Sequence, residues 1–198
     1  MSSTNEQDIP QAEVAAPDGT ETDNLAIIAR QAIVDANRAV YGYELFDRST
    51  ASDSHTAASD AALLFNALSY AGTEALVGKK TVFINCTHES LAGGHLELIH
   101  PDKVVLEVPP LADSATAEEI EARVATLDAL RTRGFRLAFD QNVLKRSYVS
   151  WLPLAGFIKL DMQAFKPELA GPLVKFAGMH SQATLIAEKV ETPEQYQL

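Results

Sequence analysis

Acids, an amide and a lysine recur at the ends of apolar runs along this chain. Asn85 closes TVFIN, Glu107 lies in VVLEV, Asp140 closes RLAFD, Lys159 and Asp161 end FIKLD, and Glu188 closes TLIAE. These side chains can bind a metal ion or move a proton. Gathered in one place, the carboxylates of Glu107, Asp140 and Asp161 and the amide oxygen of Asn85 offer the hard ligands preferred by Mg²⁺, Mn²⁺ or Ca²⁺, whereas a zinc site normally draws on more His or Cys. Mg²⁺ or Mn²⁺ is the expected ion. Without a cation, carboxylates at such close quarters repel one another and take up protons.

The elements that must gather them follow from the spacing. The runs read as short strands, and the intervals between them hold one helix and two loops, the rhythm of parallel β/α units. The predicted fold class is α/β, a TIM-like (β/α) barrel with its functional side chains on the rim where strands lead into helices. With 198 residues against about 250 for eight complete units, the barrel is expected to be incomplete at the C-terminus. Period-two alternation points Thr81, Phe83 and Asn85 one way, together with Val105 and Glu107, Ala138 and Asp140, and Phe157, Lys159 and Asp161. The opening differs from the later units: residues 25–35 and 39–47 are separated by a short polar turn, as in a hairpin. Helices are predicted over 56–71, over 114–133 with Ser114 or Thr116 as N-cap and Gly134 as C-cap, and over 167–178. Trp151, Phe157 and Phe176 are core candidates, Cys86 packs on the face opposite Asn85, and the five histidines are expected to be mostly solvated.

The net charge of −11 is unevenly distributed. Residues 1–24 hold six acids and no Lys or Arg, which leaves 21 acids against 16 bases, a net of −5, in residues 25–198. The first 24 residues read as a disordered acidic leader. No basic stripe with interleaved aromatics suits a nucleic-acid polymer. No apolar stretch approaches the roughly 20 residues that span a bilayer, and the N-terminus has no signal-peptide pattern. One cysteine excludes an internal disulfide and suits a reducing compartment, so a cytoplasmic location is expected.

The series Gly42-Tyr43-Glu44-Leu45-Phe46-Asp47-Arg48, Asn85, Glu107, Asp140, Lys159-Leu160-Asp161 and Ala187-Glu188-Lys189-Val190-Glu191 resembles, in order and approximate spacing, the EAL-domain cyclic-di-GMP phosphodiesterases. The resemblance covers residue 25 to the end and looks closest to the divergent modules joined to an HDOD domain. It implies that Glu44, Asn85, Glu107 and Asp140 are metal ligands, that Lys159 orients the attacking water, and that Glu188 is a catalytic-loop glutamate. Gln31, Arg48, Asp161 and Glu191 fall at positions on the ligand side, and Glu191 also helps hold the loop. Two divalent ions would then support in-line hydrolysis to pGpG.

The departures bear on activity. Active members of the family carry two consecutive aspartates and a glycine- and serine-rich loop where this chain reads Asp140-Gln141-Asn142-Val143-Leu144-Lys145-Arg146. Gln141 offers only a neutral amide oxygen to a second cation, while Lys145 and Arg146 can bring positive charge to that position. Val108, Pro109 and Pro110 stand where a Thr-Glu pair usually supports the site. The sequence also stops before the family's last strand and helix. Three functions remain open: a degenerate signalling module that binds cyclic-di-GMP or a signalling protein with little hydrolysis, a working phosphodiesterase, and an interaction platform without nucleotide binding. The oligomeric state stays open.

Overall fold

The structure, a computed structural model, describes residues 28–47 and 78–196. The leader over 1–24, Arg48 and the helix expected over 56–71 lie outside the described residues.

Among the described residues seven strands form one sheet in chain order: β1 (Ile28–Val34), β2 (Val40–Asp47), β3 (Thr81–Asn85), β4 (Val104–Val108), β5 (Arg136–Asp140), β6 (Phe157–Asp161) and β7 (Thr184–Glu188). β1 and β2 are the expected antiparallel hairpin, and every later neighbour pair is parallel. The hairpin turn is held by Asp35, whose Oδ1 accepts from the Asn37 and Ala39 amides at 2.9 Å each. Among the described residues β1 pairs only with β2 and β7 only with β6, so the sheet stays open between them.

The open sheet is nonetheless rolled. β2 and β6 are four places apart, about 19 Å on a flat sheet, yet Lys159 on β6 reaches Glu44 on β2 at 3.0 Å. Inside the curl, Phe83, Val105, Ala138 and Phe157 form a small buried cluster with Ile33 and Ile186 against it. Arg136 fills the end where the parallel strands begin, donating to Tyr41 Oη at 2.9 Å and Thr81 Oγ1 at 3.3 Å. Gly42 is needed where β2 meets β3, since a Cβ there would lie 2.5 Å from the Thr81 carbonyl oxygen.

The opposite strand faces pack outward on helices α1 (His88–Ala92), α2 (Ala117–Ala122), α3 (Val124–Thr132) and α4 (Pro167–His180), and a short α5 (Pro193–Tyr196) follows β7. This larger core includes Leu45, Ile84, Cys86, Leu106, Leu127, Leu137, Trp151 and Ile158. Cys86 packs there as expected, and so does Trp151. Phe176 does not: it is 39% exposed and lies beside His180 rather than in the core. His88 and His95 are half-buried, each with a shielded Nε2, because α1 and the short turn after it fold back onto the outer core.

The single helix expected over 114–133 is two. Thr116 is its N-cap, in a capping box with Glu119. The break falls at Arg123, and its cause is a tertiary contact: the Ile120 carbonyl accepts the Trp151 indole N–H at 2.9 Å and the Arg123 amide at 3.2 Å. A side chain inserted into the helical ladder in this way interrupts it. The C-cap of α3 is Arg133 rather than the expected Gly134, which follows it with the left-handed φ of 100° that turns the chain out of the helix. Thr116→Ala removes the acceptor of the Glu119 amide, and urea unfolding is expected to show a loss of about 1 kcal/mol.

Candidate functional site

The buried ionisable residues lie directly above the small inner cluster. The alternation of β6 that points Phe157 into the curl also points Lys159 there, two residues further along. Its ammonium nitrogen lies 3.0 Å from Glu44 Oε2, 2.5 Å from Glu107 Oε2 and 2.6 Å from Glu188 Oε1. Lys159, Glu44 and Glu107 are all buried. Asn85 joins them through its side-chain amide, which donates to Glu44 Oε1 at 3.0 Å. Gln31 stands opposite Glu44 in the hairpin register, and so on the same sheet face, with an exposed side chain. Strands β1, β2, β3, β4, β6 and β7 therefore each bring at least one expected site residue to a single rim.

Burial, followed by the nearby Glu44 carboxylate, pushes the Glu107 carboxyl up to about 7 although Lys159 pulls the other way. For Lys159, burial alone would lower the ammonium's proton affinity, but Glu107 and Glu44 raise it more, and the net shift is upward. Lys159 is held as a cation. Glu107 carries the strain of the cluster, for its Oε1 is buried without a hydrogen-bond partner.

One expected metal ligand, Asp140, and the neighbouring Gln141 are engaged elsewhere. Asp140 caps the turn that follows β5, its Oδ1 accepting from the Asn142 amide at 2.9 Å and its Oδ2 from Asn142 Nδ2 at 2.7 Å. Gln141 Oε1 accepts from the Asp161 backbone N–H at 3.1 Å. Asp161 itself faces Lys189, whose Nζ donates to Oδ2 at 2.6 Å, and this hydrogen bond holds the carboxyl below its usual range. Glu191 is exposed, and its backbone N–H is tied to Gln195 Oε1 at 2.8 Å. Lys145 and Arg146 are exposed on the turn, and the cation that reaches the carboxylates is Lys159.

A fit to Mg²⁺ or Mn²⁺ is therefore divided. The oxygen donors of Glu44, Asn85 and Glu107 have the right chemistry, and the unpartnered Glu107 Oε1 is the kind of atom a cation would satisfy. Their arrangement does not fit. An ammonium stands where the carboxylates converge, Asp140 is spent on a cap, and no group of three or more His, Cys, Asp or Glu among the described residues is disposed to hold a metal ion. Sequence reasoning missed Lys189, which precedes no apolar run and closes none. It also missed Asn142, although an Asp-x-Asn sequence is a known turn signal.

Comparison with solved structures fixes the class of the fold. Bacillus subtilis YkuI, which has an EAL domain and is in complex with substrate cyclic-di-GMP and calcium, aligns over 89% of this chain and 51% of its own at a TM-score of 0.59 and 18% identity. Klebsiella pneumoniae BlrP1, in a manganese and cyclic-di-GMP complex, aligns over 91% of this chain and 53% of its own, at a TM-score of 0.63 and 23% identity. The fold is the TIM-like barrel of the EAL type. In sequence, the chain is 28% identical over 177 residues to the cyclic di-GMP phosphodiesterase CdgJ of Vibrio cholerae serotype O1, a match that spans 85% of this chain and 39% of CdgJ. No family model matches the chain. No helix among the described residues is long and apolar enough to cross a membrane.

Proposed function

We propose that this chain is a degenerate EAL-type module of cyclic-di-GMP signalling, one that binds the dinucleotide or a signalling partner with little or no hydrolysis. The observation that carries this reading is Gln141, which offers only a neutral amide oxygen where active members of the family carry a second aspartate, and whose Oε1 already accepts from the Asp161 backbone N–H at 3.1 Å. The commitment of Asp140 to Asn142 supports it further, because it engages carboxylate oxygens on which a cation would depend. Gln31, Arg48, Asp161 and Glu191 are the proposed ligand contacts, and a cytoplasmic location belongs to the same reading.

Lys159, Glu44 and Glu107 supply a fixed charge pattern beneath the proposed ligand. The ammonium can donate to an anionic oxygen, and Glu188, which is only part-buried, can yield its place on the lysine to such a group. Asn85 restrains Glu44. One observation favours hydrolysis as a second reading, namely the buried and unpartnered Glu107 Oε1, an acceptor suited to a metal ion.

Calorimetric titration of cyclic-di-GMP into the protein, with Mg²⁺ or Mn²⁺ and again with EDTA, separates the readings when the mixture is then chromatographed for pGpG. Binding in both conditions without product is the expected result. Metal-dependent product at a rate typical of phosphodiesterases would overturn it in favour of the second reading.

A further inference from the structure

We propose that Lys189 is a positioning residue, whose ion pair with Asp161 clamps the exits of β5, β6 and β7 together and holds Glu188 against Lys159. The first sign is backbone strain. Lys189 has φ of 53°, a left-handed conformation in which a Cβ meets the neighbouring carbonyl and which glycine adopts freely. Such strain persists where surrounding interactions over-determine it. Here the left-handed residue directly follows Glu188 and its ammonium lies 2.6 Å from Asp161 Oδ2.

Asp161 is the middle of the clamp. Its amide donates to Gln141 Oε1 on the exit of β5 at 3.1 Å, its Oδ1 accepts from the Gln163 amide at 2.9 Å, and its Oδ2 takes Lys189. The next residue completes the circuit, since the Met162 amide donates to the Glu188 carbonyl at 3.0 Å. Asp161 and Glu188 are also register partners across β6 and β7. Both atoms that could drift, the Glu188 backbone and the strand end that carries it, are thus fixed from two sides. Glu188 Oε1 is left pointing at the Lys159 ammonium, 2.6 Å away. An exposed ion pair adds little to stability by itself, so what Lys189 contributes is placement.

The functional weight of the clamp rests on the reading that Glu188 belongs to the ligand site, and the test separates the two. The Glu188 side-chain carboxyl ¹³C signal of the full chain, assigned with Glu188→Gln, is compared among the wild type, Lys189→Met, Lys189→Arg and Lys189→Gly. Loss of the clamp in Lys189→Met is expected to move the signal toward that of a solvated carboxylate, and Lys189→Arg to restore it. Lys189→Gly is expected to move the signal as Met does while raising the thermal midpoint by about 2–4 °C, because the strain is gone. An unmoved Glu188 signal in both Met and Gly variants overturns the clamp; the Gly variant decides if Met fails to fold. Cyclic-di-GMP affinity is measured alongside, with a fall of about tenfold expected in Lys189→Met, equivalent to 1.4 kcal/mol. A moved signal with unchanged affinity supports the clamp and counts against Glu188 as part of the ligand site.

Discussion

Lys159→Ala is expected to cost about 3–5 kcal/mol of folding stability at neutral pH, the usual penalty for removing one partner of a buried charge cluster. The lysine nitrogen lies at 3.0, 2.5 and 2.6 Å from Glu44, Glu107 and Glu188, and its side chain is 8% exposed. Its loss leaves three acids facing one another, two of them buried, around an oxygen of Glu107 that already has no partner. Urea unfolding gives the magnitude, and two conditions give the cause. Acidification is expected to shrink the deficit, since protonated carboxyls need no counter-ion. Added Mg²⁺ is expected to raise the midpoint of the variant and to leave the wild type unchanged, because a ligand stabilises only the state that binds it. A variant as stable as the wild type would falsify the placement of Lys159 as the central cation.

The second large effect is a pH dependence with an unusual sign. The Glu107 carboxyl lies near 7 in the folded chain against an ordinary 4.5, so the folded state binds this proton more tightly than the unfolded state. Its contribution to stability is therefore greatest below 4.5, declines as pH rises toward 7, and is flat above. A shift of this size corresponds to roughly 3 kcal/mol. Lys159 does not oppose it in that window. Its affinity for a proton is raised above an ordinary 10.5, so its stabilising contribution is complete throughout and is lost only in strong alkali. Asp161, held low by Lys189, works in the opposite direction at acid pH, which makes the comparison with a variant necessary. Urea midpoints between pH 4.5 and 8 are expected to fall less steeply in Glu107→Gln than in the wild type. Parallel curves would show that Glu107 ionises as an ordinary acid.

Most of the strand framework was legible because each strand is short, apolar and closed by a polar residue. TVFIN, RLAFD, FIKLD and TLIAE are strands at their expected bounds, and alternation alone placed Lys159 above Phe157. The convergence of Glu44, Asn85, Glu107, Lys159 and Glu188 follows from the same rule once the sheet curls. Interactions made across sequence distance were not legible. Nothing in the run EEIEARVATL signals a break, which depends on an indole N–H 31 residues away. The fates of Asp140 and Gln141 were equally hidden, for a carboxylate at a strand end reads the same whether it holds a cation or caps a turn. Phe176 shows the limit of composition: α4 buries Ala170 and Ala177 toward the sheet and turns its larger ring outward.

The chain has one tryptophan, and its position makes it a built-in optical probe. Trp151 is 1% exposed, its ring centroid lies 6.0 Å from that of His88 and 4.9 Å from that of Tyr148, and its N–H bridges to the carbonyl at the α2–α3 break. Its emission comes from one environment, with no second indole to blur it. The residues around it follow Asn85 on one side and Asp140 on the other, so rearrangement of either strand exit on ligand binding alters the indole's contacts. Fluorescence lifetime can therefore follow the rim of this protein in real time, at native sequence and without a label.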